Sequence, residues 1–130
     1  MRYAFSIMIG LDIVSIERIA EKIKTPSFLE GVFTVGEILY YKDKGEKAET
    51  LAGIFAVKEA VAKAFKVGLV FRPTDIEVMH DANGAPYVVL HRQAKEIIQE
   101  KCTLAKTTMP NINVSISHDG GIAIAVCYLN

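Results

Sequence analysis

The chain lacks an excess of charge of either sign: fifteen basic residues meet fifteen acidic ones across 130 positions. That balance argues against a nucleic-acid binder running on bulk positive charge, although a local basic patch survives such cancellation. Cysteine is scarce. Cys102 and Cys127 form neither a metal-ligand spacing nor a dense disulfide framework. They read as reduced, buried small hydrophobes of a cytoplasmic protein, with a chance pairing as the minor alternative. No stretch approaches the roughly 18 uninterrupted apolar residues that span a bilayer, so no membrane partner is expected. The N-terminal run Met1–Ile9 resembles a weak signal segment, but Asp12 interrupts it and no small-residue cleavage site follows. It reads as a first strand behind a possible leader over residues 1–6, with Met8 a possible natural start. Internal repeats, low-complexity tracts and linkers are also missing, so residues 1–130 form one domain, long enough to bury a core.

What is present centres on Ala52-Gly-Ile-Phe-Ala-Val-Lys-Glu-Ala-Val-Ala-Lys-Ala-Phe65. A helix this apolar on nearly every side is a buried one. Yet it carries Lys58, Glu59 and Lys63, and an unpaired buried charge costs several kcal/mol, on the order of a domain's stability margin. Glu59 and Lys63, four apart, share a face. They are either a surface salt bridge at the helix edge or the lining of a site.

The rest of the chain supplies surroundings. Ile7–Leu11 is an apolar run without alternation, read as a buried strand with Asp12 at its C-terminal end and Gly10 allowing close backbone approach. Ser15 caps a helix with the stripe Ile16, Ile19, Ala20 and Ile23. Thr25-Pro26 starts a short helix. Thr34-Val-Gly-Glu37 is a capping box opening a helix that fails near Lys44-Gly45. The central helix starts at Lys47 or Ala48 and ends about Gly68. Asp75–His80 and Ala85–Leu90 read as paired strands around an Asp81–Gly84 turn, and Gln93–Cys102 as an amphipathic helix. Asn113–Ser117 alternates as a strand, His118–Gly121 turns, and Ile122–Leu129 closes the chain. Both faces of that last strand are apolar, which calls for cover on both sides, one of them plausibly a neighbouring subunit. The fold class is α+β: a small antiparallel β-sheet packed with a long buried central helix and shorter helices.

Asp12, Glu59, Lys63 and His118 are the polar positions that this arrangement sets beside one another. Two carboxylates on rigid elements with no thiolate near suit a hard cation such as Mg²⁺, which takes one or two carboxylates and leaves its other positions to water and phosphate. A lysine one turn from such a glutamate reaches a phosphate. Charge neutralisation and alignment are what phosphoryl transfer requires. Each residue also has an ordinary reading: Asp12 as a helix-start residue, Glu59 and Lys63 as a surface pair, His118 as a hairpin residue. Ser115 and Ser117 are solvated unless a base is near, and Lys42, Lys44 and Lys47 read as a solvated charge run. From the residues alone this is a candidate magnesium and phosphate site, without a substrate.

Five segments in register carry a resemblance. Ile9-Gly-Leu-Asp12-Ile-Val, Phe33-Thr-Val-Gly-Glu37, Leu51-Ala-Gly-Ile-Phe-Ala-Val-Lys-Glu-Ala60, Asp81-Ala-Asn-Gly-Ala-Pro86 and Val114-Ser-Ile-Ser-His118 resemble the holo-[acyl-carrier-protein] synthases, the small phosphopantetheinyl transferases. The resemblance implies transfer of 4′-phosphopantetheine from coenzyme A to a serine of apo acyl carrier protein, with release of adenosine 3′,5′-bisphosphate. It implies Asp12 and Glu59 as Mg²⁺ ligands, Lys63 at the phosphates assisting the leaving group, and His118 at the coenzyme A site. Arg18 is implied to meet the acidic carrier protein, and Glu59 or a water activated beside Asp12 to take the serine proton. A homotrimer with sites between subunits is implied as well. The chain departs from the family pattern at Ile54 and Gly31, where arginine is usual, and at Asp119, where threonine is common. These departures are expected to weaken coenzyme A or carrier binding, or to be compensated by lysines such as Lys58 or Lys66. The alternatives are a non-catalytic trimeric homologue that binds coenzyme A or a carrier protein, and an unrelated magnesium-dependent phosphohydrolase.

Overall fold

The computed structural model describes residues 8–66 and 71–130. Strand β1 (Met8–Ser15) leads through α1 (Ile16–Lys22), α2 (Pro26–Val32) and α3 (Val35–Asp43) to the long helix α4 (Ala48–Phe65). A 3₁₀ turn at Pro73–Asp75 precedes strands β2 (Ile76–His80) and β3 (Pro86–Leu90), helix α5 (Arg92–Leu104), and strands β4 (Ile112–Asp119) and β5 (Ile122–Leu129). The strands form two antiparallel sheets, β1-β5-β4 and β2-β3. The α+β expectation holds. The possible leader over residues 1–6 and the expected helix stop at Gly68 lie outside the described residues; α4 is described up to Lys66, which adopts a left-handed φ of 58°.

Local chemistry places the helix starts as the sequence indicates. Ser15 Oγ accepts the Arg18 amide at 3.2 Å and opens α1. Thr34 and Glu37 form the reciprocal capping box of α3: the Thr34 amide donates to Glu37 Oε1 at 2.8 Å, and the Glu37 amide donates to Thr34 Oγ1 at 3.1 Å. Pro26 occupies the first turn of α2, where its missing N–H costs nothing, and Thr25 makes no side-chain cap bond there.

Most strand boundaries fall within a residue of the expectation, but two strand ends run further than expected, and both matter for the site. β1 continues to Ser15, so Asp12 is a mid-strand residue opposite Ala125 rather than a strand-end one. β4 runs through His118 and Asp119, so the turn is Gly120-Gly121 alone. Both glycines have positive φ, 58° and 83°, as a two-residue hairpin of right-twisted strands demands.

Helix α4 lies across one face of the three-stranded sheet, contacting all three strands. Ala123, Ala125, Cys127 and Leu129 of the central strand are buried beneath it, with Leu51, Ile54, Val57, Val61 and Phe65 from the helix. Burying each of the larger side chains contributes about 1.5–3 kcal/mol. Gly10 sets the closeness of the contact: a Cβ there would collide with the Ala60 carbonyl of α4. The opposite face of the sheet is uncovered in the single chain. Ile9, Leu11 and Ile13 are 65%, 60% and 61% exposed, and they stand opposite Tyr128, Val126 and Ile124.

Candidate functional site

Alternation along β1 sends Gly10, Asp12 and Val14 toward α4 and Ile9, Leu11 and Ile13 away from it. Because Gly10 lets the backbones meet at Ala60, Asp12 lands beside the following turn of α4. Lys63 Nζ donates to Asp12 Oδ1 at 2.9 Å and to the Leu11 carbonyl at 3.0 Å. The lysine side chain is 56% exposed and the aspartate 14%. Of the two readings left open for Glu59 and Lys63, the helix-edge salt bridge is not formed; Lys63 makes a cross-element pair with Asp12 instead. Glu59 keeps no ion-pair partner among the described salt bridges. Partial burial pushes its carboxyl above the usual range, the negative charge of Asp12 adds to that, and Lys63 opposes it.

Asp12 and Glu59 line one pocket of about 250 Å³, together with Ser15, Arg18, Lys22 and Phe55. Arg18, expected only as an exposed partner contact, is thus also at the rim of the carboxylate pair. No group of three or more histidine, cysteine or acidic residues capable of holding a metal occurs among the described residues. Two oxygen-bearing side chains fit a cation that is content with one or two carboxylates and completes its shell from water and phosphate. The electrostatics agree: burial and the charge of Asp12 make Glu59 costlier to ionise, and an ammonium already sits on the Asp12 oxygen.

His118 does not join them. The ladder puts Asp12, Ala125 and Ile116 in one row and Val14, Ala123 and His118 in the next, all on the helix-facing side. Strand β5 lies between, so Asp12 and His118 are two strand spacings apart, about 10 Å, on opposite flanks of α4. The expectation of four adjacent polar residues fails because the last strand inserts between the first strand and β4. His118 Nε2 donates instead to the Glu49 carbonyl at 3.0 Å, near the start of α4. Gly53 makes room for this: a Cβ there would be 3.0 Å from Ile116 Cγ2 and 3.1 Å from His118 Nε2.

A cleft of about 410 Å³ opens beside His118, lined also by Lys44, Lys47, Thr50, Gly84 and Pro86. Tyr40 and His80 stack at its wall with ring centroids 3.8 Å apart, and Lys44 Nζ lies 5.6 Å from the Tyr40 ring centre. Lys44 and Lys47, read from sequence as part of a solvated charge run, thus share a concave surface with an imidazole and two aromatic walls. A signal was available in the Lys44-Gly45 helix stop, which ends α3 at this cleft.

Lys58 is the residue whose role the sequence left open most widely, and the structure removes it from the phosphate question. It is 1% exposed, and its ammonium meets Glu37 Oε1 at 2.8 Å, the Pro73 carbonyl at 2.8 Å and the Ile76 carbonyl at 2.7 Å. Burial lowers its pKa, with Glu37 opposing the shift. Lys58 therefore cannot compensate for missing arginines at a phosphate, whereas Lys66 is exposed. Ile54 is likewise in the core, Gly31 is exposed on α2 with open space around it, and Asp119 is exposed at the end of β4. Both thiols are free and buried; burial raises Cys102 and pushes Cys127 up to about 12, which keeps them unreactive.

Comparison with known proteins gives one consistent answer. The family model described as the 4′-phosphopantetheinyl transferase superfamily matches residues 8–127. A holo-[acyl-carrier-protein] synthase of Caldicellulosiruptor saccharolyticus is 47% identical over 117 residues, covering 90% of each chain. The crystal structure of the Helicobacter pylori holo-[acyl-carrier-protein] synthase in complex with coenzyme A superposes with a TM-score of 0.76 at 37% identity, covering 95% of this chain and 100% of the other. The Chronobacterium ammoniagenes enzyme in its coenzyme A complex gives 0.81 at 30% identity, covering 96% and 97%. The chain is an enzyme of the 4′-phosphopantetheinyl transferase superfamily and belongs to its holo-[acyl-carrier-protein] synthases.

Proposed function

We propose that this chain transfers 4′-phosphopantetheine from coenzyme A to a serine hydroxyl of an apo acyl carrier protein, with Mg²⁺, releasing adenosine 3′,5′-bisphosphate. The observation that carries it is the meeting of Asp12, Glu59 and Lys63 at the crossing of β1 and α4. In the reaction the serine oxygen forms a bond to the β-phosphorus, the bond from that phosphorus to the bridging oxygen breaks, and the serine proton passes to a base. Mg²⁺ held by Asp12 and Glu59 supplies neutralisation of the pyrophosphate charge. Lys63, on an exposed stem, reaches phosphate oxygens and stabilises the negative charge that grows on the leaving group. Glu59, or a water activated beside Asp12, accepts the serine proton. The cleft of Lys44, Lys47 and His118 supplies cations for further phosphate groups beside aromatic surface for a flat ring. Arg18 and Lys22 at the other rim suit an acidic carrier protein.

One chain holds the carboxylates and the His118 cleft on opposite flanks of α4, and a homotrimer resolves this. Copies packed through the exposed Ile9, Leu11 and Ile13 face set one protomer's carboxylate flank beside its neighbour's cleft, completing sites between subunits. No helix among the described residues is long and apolar enough to cross a membrane. Substituting Asp12→Ala or Glu59→Ala abolishes turnover while leaving the melting temperature within a few degrees of the parent. Normal turnover by either folded variant would refute the assignment.

A further inference from the structure

Resting on the assignment of Asp12 and Glu59 to Mg²⁺, we infer that Lys63 is a built-in counter-ion of Asp12, which a metal binding there must displace. Asp12 is mostly buried and stands beside a second carboxylate, so without a cation it would carry charge in a poorly solvated place. Lys63 meets that need: its ammonium takes Asp12 Oδ1 at 2.9 Å and the Leu11 carbonyl at 3.0 Å. A divalent ion bound through Asp12 competes with this contact, because the ammonium occupies the oxygen and repels a second cation. The ammonium is also free to leave, since its side chain is more than half exposed and no further hydrogen bond among the described residues holds it.

Displacement is easiest when the ammonium has somewhere to go. A pyrophosphate bridging the site offers oxygens to Lys63 as the metal takes Asp12. Metal and nucleotide then assist each other's binding through this one side chain, beyond any direct metal–phosphate contact. The metal-free enzyme is kept stable by the same lysine that serves the phosphates in the loaded one.

The test is Mn²⁺ affinity, read from the paramagnetic resonance signal of free Mn²⁺, in the full-length protein without nucleotide. Lys63→Met tightens Mn²⁺ binding by about three- to fivefold, the worth of a partly exposed ion pair. Lys63→Arg, which keeps a cation in reach, stays near the parent. Lys22→Met removes one positive charge from the same pocket without touching Asp12, and it changes affinity by less than about half as much. Saturating coenzyme A tightens Mn²⁺ in the parent by a larger factor than in Lys63→Met. Unchanged or weaker Mn²⁺ binding in folded Lys63→Met, an equal gain from Lys22→Met, or equal coenzyme A factors would overturn the inference. Asp12→Asn separates the levels: Mn²⁺ binding that survives it defeats the metal assignment itself, whereas binding that Asp12→Asn abolishes but Lys63→Met leaves unchanged defeats only the counter-ion role.

Discussion

Lys58 and Glu59 are neighbours in the chain with opposite fates, and a turn of helix explains why. At position 58 the side chain enters the core and must find three acceptors; at 59 it emerges at the crossing with β1. Lys58→Met leaves Glu37 buried without its cation and is expected to lower stability by about 3–5 kcal/mol. Adding Glu37→Gln should restore part of that loss, as urea midpoints of the single and double variants will show. Gly10 is as constrained for the opposite reason: it must have no side chain. Gly10→Ala forces β1 off α4, and a loss of about 2–3 kcal/mol in urea unfolding is expected. Because Asp12 is positioned by that contact, its activity should fall further than its stability. Gly10 was legible in the sequence as a point of close approach, since a glycine in an apolar strand has few other uses. The partners of Lys58 were not, because the pattern shows that a charge is buried but not which of fifteen acidic residues, here one 21 positions upstream, answers it.

At the scale of elements, caps and turns were readable because they are local. Ser15, the Thr34–Glu37 box and Pro26 announce helix starts within four residues, and all three stand where expected. Strand order is a long-range property. Nothing near Asp12 or His118 reveals that β5 pairs with both their strands and so holds them apart. The start of α3 shows what long-range contacts add to a local cap. Thr34 Oγ1 donates to Glu77 Oε2 at 2.6 Å, and His91 Nε2 donates to Glu77 Oε1 at 2.9 Å. Burial alone would raise the Glu77 carboxyl, but these bonds and the charges of His91 and Lys58 bring it below the usual range. A carboxyl whose folded pKa is depressed contributes stability that is present above its unfolded value and lost as pH falls through the folded one. The stability difference between the parent and Glu77→Gln should therefore be full at pH 6 and shrink below about pH 4.3, the ordinary glutamate value. A difference independent of pH between 6 and 3 would mean that ionised Glu77 contributes nothing to the junction of α3, β2 and α5.

At the scale of the molecule, the three-stranded sheet is finished on one face only. The last strand announced this in sequence by being apolar on both sides; β1, with Ile9, Leu11 and Ile13 outward, makes the open face continuous. Leu11→Glu places a charge at its centre and, if copies pack there as proposed, should convert the proposed trimer to monomers in analytical ultracentrifugation, with transferase activity falling in step. A monomer of full activity would show that each chain completes its own site. The enzyme class itself was carried by five short motifs in register, whereas no single residue pattern named a substrate. The most direct measurement of the central claim is the intact mass of an apo acyl carrier protein after incubation with this protein, coenzyme A and Mg²⁺. The predicted result is the addition of a single 4′-phosphopantetheine, abolished by EDTA and by Asp12→Ala. No addition, under conditions in which another transferase modifies the same carrier, or addition that persists in EDTA, would contradict it.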